Sequence, residues 1–153
     1  MFYNLGNEAA FLRSNGVGNA ATNTSATFKC DGYDSALLMV DLGAVQAGAV
    51  LQLNALNGVL SNGSDANQIT DQAGNPVQTT SVTDSGGATS NTTLLLDVHR
   101  SGGKTGNDYI TACLTRTGGA VVNSFYAIMY NAKQVPVTQP STVTALSEFL
   151  AAT

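Results

Sequence analysis

Charge is what this sequence has least of. Asp, Glu, Lys and Arg make up 10 % of its 153 residues, against about 25 % in an ordinary soluble domain. The six cations, Arg13, Lys29, Arg100, Lys104, Arg116 and Lys133, are scattered and the net charge is −4. No basic stripe is there to neutralise phosphates, which excludes nucleic acid as a partner. Apolar runs are short as well, and none approaches the ~18 residues of a membrane span. "MFYNLGNEAAF" has neither the cationic start nor the apolar core of a secretory signal. A membrane partner and that export route are therefore not expected.

Soft metal ligands are equally sparse. His99 is the single histidine, and Cys30 and Cys113 lie far apart without a CxxC, so a zinc knuckle is excluded and no transition-metal site is expected. Two buried thiols are the expected state of the cysteines, with a disulfide left open by sequence alone. "GGKTG" at 102–106 lacks the first glycine of a P-loop, where Val98 stands, and it precedes a strand pattern rather than a helix. Asp97 shares a strand face with His99, but no Gly-x-Ser-x-Gly elbow marks a nucleophile. Asp65, Asn67 and Asp71 are spaced like calcium ligands, yet the EF-hand glycine and closing glutamate are missing. The remaining acids are dispersed. No catalytic, cofactor-binding or metal-binding residue is assigned, no cofactor is expected, and the chain is not expected to be an enzyme.

What the chain does have is Gly, Ser, Thr and Asn, together roughly two-fifths of its length, beside 43 % hydrophobic residues. Thr and Val suit a pleated surface, and Asn, Gly and Ser suit turns. "ATFKC" sets Phe28 and Cys30 on one face and Lys29 on the other. "AVLQLNAL" sets Ala49, Leu51, Leu53 and Ala55 opposite Gln52 and Asn54, the alternation of a half-buried strand. In "SALLMVDL", Leu38, Val40 and Leu42 form the more apolar face, with Leu37, Met39 and Asp41 on the other; Asp41 is expected near the strand end, before a turn at Gly43. "TTLLLDVHR", "DYITACLTR" and "VVNSFYAIMY" supply three more strands. In the last, Val121, Phe125 and Met129 oppose Val122, Tyr126, Ile128 and Tyr130, so both faces are apolar and the strand is expected at the sheet centre. The links "SGGKTGN" and "TGGA" have lengths that favour antiparallel hairpins. The polar excursion over 57–91 is expected to hold one or two weak hairpins.

The expected fold is an all-β antiparallel sandwich of about seven or eight strands, jelly-roll-like or immunoglobulin-like. It spans residues 25–140, between an arm over 1–24 and a helical tail over 141–153 with Leu146, Phe149 and Leu150 on one side. Phe2, Tyr3, Leu5, Phe11 and Leu12 in the arm either rest on another molecule or belong to a short helix docked on the same domain.

The order of "DGYDSALLMVDLGAVQAGAVLQLNAL", "YITACLTRTGG" and "FYAIMYNAKQVPV" resembles the capsid decoration, or cement, proteins of tailed bacteriophages. The likeness covers about residues 26–137. It rests on a Y-x-S-A-hydrophobic strand ending in G-A, a later Tyr strand and a closing apolar strand. Tyr109 is followed by Ile110 and Thr111, where family members often carry Arg, and the 57–91 excursion and the "TALSEFLAAT" tail are not explained by it. The resemblance implies a structural virion protein, made in the host cytoplasm, that binds the outer capsid surface and bridges subunits of the major capsid protein, itself as a dimer or trimer. Phe2, Tyr3, Leu5 and Phe11 are the expected capsid or subunit contacts. A tail or head-completion protein, and a bacterial surface adhesin module, are the alternative expectations.

Overall fold

Apolar–polar alternation builds nine antiparallel strands in a computed structural model of the chain, which describes residues 9–15, 23–99 and 108–132. They are β1 (Ala10–Asn15), β2 (Thr24–Lys29), β3 (Tyr33–Val45), β4 (Val50–Gly58), β5 (Asn67–Gln68), β6 (Val82–Thr83), β7 (Thr93–His99), β8 (Tyr109–Thr117) and β9 (Ala120–Ala132). One sheet has the order β1-β9-β3-β7, and the other has β2-β8-β4-β5 with β6 also paired to β4. The all-β, two-sheet architecture agrees with the pattern of short alternating strands. The helix expected over 141–153 lies outside the described residues.

Between the sheets lies one apolar core. The first sheet contributes Ala36, Leu38, Val40 and Leu42 from β3, Val98 from β7, and Val122, Phe125, Ala127 and Met129 from β9. The second contributes Ala26 and Phe28 from β2, Leu51, Leu53 and Ala55 from β4, and Ile110, Ala112 and Leu114 from β8. Leu38, Leu51, Leu53 and Leu114 are fully buried, so truncating any one to Ala removes about 2–5 kcal/mol, set by how far its neighbours can close the gap. Arg116 ends the inward row of β8, and its guanidinium donates to the Ala120 carbonyl at 2.8 Å; burial lowers its pKa.

The links depart from the expected hairpins. β7 and β9 belong to one sheet and β8 to the other, so β8 pairs with neither as a hairpin and the Gly118-Gly119 joint crosses the sandwich instead of turning back on a neighbour. The same holds for the turn from β3 to β4. A glycine-rich link of this length reverses the chain equally well within a sheet or between sheets, and one-sided apolar strands accept either partner. Gly118 has φ 90°, and a Cβ there would lie 3.1 Å from the Ala49 Cβ; both needs are met by glycine.

Two further expectations are corrected at the β3–β9 ladder. Val122 was expected opposite Phe125, but both point into the core because the register shifts between Asp41 and Leu42. A bulge there turns one extra residue and re-aims the strand. For the same reason Gly43 is no turn: β3 continues to Val45, and the chain reverses at 46–49. Asp41 is half-buried on the outward face with Leu37 and Met39, and Asn123 Nδ2 donates to it at 3.3 Å.

Within the stretch expected as an arm, β1 pairs with β9 as an edge strand, Phe11 opposite Ile128 and Arg13 opposite Tyr126. Of the two alternatives for this segment, Leu12 packs against the chain's own core, but on a strand rather than on a short docked helix. No disulfide joins the cysteines: Cys30 follows Phe28 on the inner face, whereas Cys113 lies outward between Ala112 and Leu114.

Candidate functional site

The two outer faces of the sandwich differ in chemistry. Behind the second sheet, Thr27 and Thr111 share a 2.9 Å hydroxyl contact, and Asn54 donates to Thr115 Oγ1 at 3.1 Å. The 59–66 loop comes down on this surface: Gly63, at φ 68°, would place a Cβ 2.5 Å from Thr27 Oγ1. Loop carboxylates are spent on their own turns. Asp65 accepts from the Val59 and Leu60 amides at 2.7 and 3.1 Å, and Asp71 accepts from the Ala73 and Asn75 amides at 2.9 and 2.8 Å. These bonds lower both pKa values, for Asp65 chiefly through the Val59 amide and for Asp71 chiefly through the Asn75 side chain. The calcium-like spacing of Asp65, Asn67 and Asp71 is thus accounted for by turn chemistry.

The outer face of the first sheet is apolar instead. Alternation in β3 and β9 points Leu37, Met39, Tyr126 and Ile128 away from the core, because Leu38, Val40, Phe125, Ala127 and Met129 fill it. Cross-strand register lines them up in two rows, Phe11–Ile128–Leu37–Asp97 and Arg13–Tyr126–Met39–Leu95. Leu95 is 55 % exposed. Arg13 lies with its guanidinium carbon 5.8 Å from the Tyr126 ring centroid, and its Nε and terminal nitrogen donate to the buried Ser124 hydroxyl at 3.2 and 3.1 Å. Among the described residues no third layer covers this face.

A polar cluster closes one end of it. Ser35, Tyr130 and His99 stand opposite one another on β3, β9 and β7. Ser35 Oγ lies 3.1 Å from His99 Nδ1, His99 Nε2 lies 3.5 Å from Asp97 Oδ2, and the Tyr130 hydroxyl donates to Asp97 Oδ1 at 2.5 Å. Asn131 Nδ2 donates to Ser35 Oγ at 3.0 Å, while its own backbone sits at φ 55°, a left-handed position asparagine tolerates. The contacts are consistent with Ser35 accepting from Asn131 and donating to Nδ1, with Nε2 facing Asp97. Burial, then the hydrogen bond and charge of Asp97, push the Tyr130 phenol up to about 12.

Serine, imidazole and carboxylate are therefore in sequence, but Ser35 is 2 % exposed. A nucleophile must reach its substrate, and this hydroxyl instead ties three strands together. The chemistry available on the face is burial of apolar surface rimmed by Arg13 at one edge and Asp97 at the other.

Of the expected contact residues, Phe11 lies half-buried on this face, while Phe2, Tyr3 and Leu5 lie outside the described residues. Sequence reasoning paired Asp97 with His99 but missed Ser35 and Tyr130, which only cross-strand register brings to them. β9 does lie between β1 and β3, the central place expected of it, but one of its two apolar faces is the outside of the sandwich. The available signal was that "ALLMV" in β3 is apolar on both faces too. No protein-family model and no curated protein matches this chain.

Proposed function

We propose that the chain is a structural virion protein that binds the outer surface of a tailed-phage capsid and stabilises it by bridging capsid subunits. One observation carries the structural, assembling part of this reading: the apolar outer face of the β1-β9-β3-β7 sheet, where Phe11, Leu37, Met39, Tyr126, Ile128 and Leu95 stand side by side. Leu95 is exposed and the others are half-buried; an apolar field left partly open in this way fits a surface that is covered in the working assembly. The capsid as partner comes from the resemblance of the β3, β8 and β9 segments to decoration proteins. Low charge and a hydroxyl-rich second sheet suit wet, extended contacts, and many copies on a repeating shell make weak contacts sufficient.

Phe2, Tyr3 and Leu5 remain the proposed capsid anchors. They precede Ala9 at the end of the sheet where β1 begins beside Met129 and where β9 runs out at Ala132. The test is co-sedimentation with phage heads lacking the protein. Saturable binding to assembled heads supports the reading, and binding lost on deleting residues 1–8 supports the anchor. Full-length protein that stays in the supernatant overturns the capsid assignment.

A further inference from the structure

We infer that the open side of β7 is a strand-addition site, taking an extended segment of another protein whose apolar residues fall at every second position. The source of that segment rests on the preceding proposal, which makes it a capsid subunit; the edge itself does not, so the two can fail separately.

Backbone chemistry selects the occupant. β7 is an edge of its sheet, and among the described residues no strand pairs with its far side. The Leu42 amide donates to the Thr92 carbonyl at 2.9 Å, and the β3–β7 register runs unbroken from there to Ser35 opposite His99. Alternation along an antiparallel ladder then turns the amides and carbonyls of Leu94, Leu96 and Val98 toward β3, and those of Thr93, Leu95 and Asp97 toward the open side. A row of outward peptide groups is met by another backbone in extended form.

Side chains on both faces set what that backbone carries. Leu38 and Val40 on β3 are fully buried, but their neighbours Leu94 and Leu96, which face the same core, are only half-buried. The core is thus unfinished at this edge, and inward apolar residues of an added strand would close it. On the outer face Leu95 continues the apolar field of β3 and β9, so a body that covers that field also reaches the edge. β7 has none of the usual guards of an edge strand, proline, lysine or a bulge, and its one acid, Asp97, is held by the Tyr130 hydroxyl. β2, an edge of the second sheet, does carry Lys29, in one row with Ser25 and Thr27.

A peptide alternating valine with threonine between terminal lysines is the probe, titrated to about 1 mM into the full chain and followed by residue-resolved amide exchange. In the chain alone, the Leu95 and Asp97 amides are expected to exchange faster than those of Leu94 and Leu96. With peptide, the first pair is expected to slow about tenfold or more while the second changes little. Leu95→Pro removes an amide on the open side and none from the β3 ladder, and Leu95→Lys adds a guard without touching the backbone. Circular dichroism reports that each variant folds, and both are expected to lose the slowing at Asp97. Leu95 and Asp97 amides already protected in the chain alone would put another segment of the chain or a second copy on the edge and overturn the inference. A peptide that slows no β7 amide overturns it too, as does one that binds both variants as well as the parent. On phage heads, bound parent with unchanged exchange over 93–99 also overturns it, whereas peptide addition without head binding leaves the edge standing and removes the capsid reading.

Discussion

Gln46 and Gly119 clasp the two turns that cross the sandwich at one pole. The Gln46 amide donates to the Gly119 carbonyl at 2.8 Å, and the Gly119 amide donates to Gln46 Oε1 at 2.9 Å. One turn leads from β3 to β4 and the other from β8 to β9, so the clasp joins chain segments more than seventy residues apart. Gln46→Ala removes the side-chain half and is expected to cost about 1 kcal/mol, read as a lower urea midpoint with an unchanged slope.

Arg13 anchors the edge strand β1 through Tyr126 and Ser124. Arg13→Ala is expected to cost about 1–2 kcal/mol, from the lost ring contact and from a buried serine hydroxyl left with fewer donors. Amide exchange in β1 is expected to rise more than in β3. Equal exchange in the two strands would show that β1 does not depend on this contact.

Gly63→Ala tests the loop over the second sheet. Its φ is positive and its new Cβ would meet Thr27 Oγ1, so about 1–3 kcal/mol is expected to be lost, with faster amide exchange at 59–66. A variant as stable as the parent would mean the loop stands off the sheet.

Acid unfolding follows from the loop carboxylates. Asp84 accepts from the Thr89 hydroxyl and amide at 2.5 and 2.8 Å and from the Gly87 amide at 2.7 Å, and the Thr89 side chain first, then these amides, lower its pKa. Asp65 and Asp71 are lowered too. A pKa depressed by folding stabilises the native state above the unfolded value near 3.9 and is lost as pH falls through the folded value. Thermal stability is expected to drop below about pH 4. Asp84→Asn is expected to be less stable at pH 7 and to show a shallower acid decline; a parallel acid decline would assign the effect elsewhere.

Tyr130 works in the opposite direction. Its pKa is raised to about 12 from about 10 in an unfolded chain, so its contribution is full below pH 10 and is lost as pH rises toward 12. Ultraviolet titration of native protein is expected to show a phenol ionising near 12 that Tyr130→Phe removes, leaving the rise that burial gives Tyr33. A titration unchanged by that substitution would remove the Tyr130–Asp97 bond from the account.

Much of the fold was legible because it rests on period-two patterns. Phe28 and Cys30 against Lys29, and Leu51, Leu53 and Ala55 against Gln52, fall as alternation requires. Strand partners were not legible, since a turn such as 117–120 states that the chain reverses and not which sheet receives it. The bulge between Val122 and Phe125 was hidden too, because Asn123 and Ser124 carry no local cue for a skipped pair. The candidate site fell between these cases. Leu37, Met39, Tyr126 and Ile128 were visibly apolar, but whether such residues face a core or the outside depends on the number of layers, which is a property of the whole fold.

Electron microscopy of phage heads mixed with either the parent protein or Met39→Glu tests the outward apolar face most directly. The glutamate sits on that face, away from the core, so the variant is expected to fold with stability within about 1 kcal/mol of the parent. Regular density is expected on heads with the parent, and strongly reduced occupancy with Met39→Glu. Equal occupancy by a folded Met39→Glu variant would contradict it.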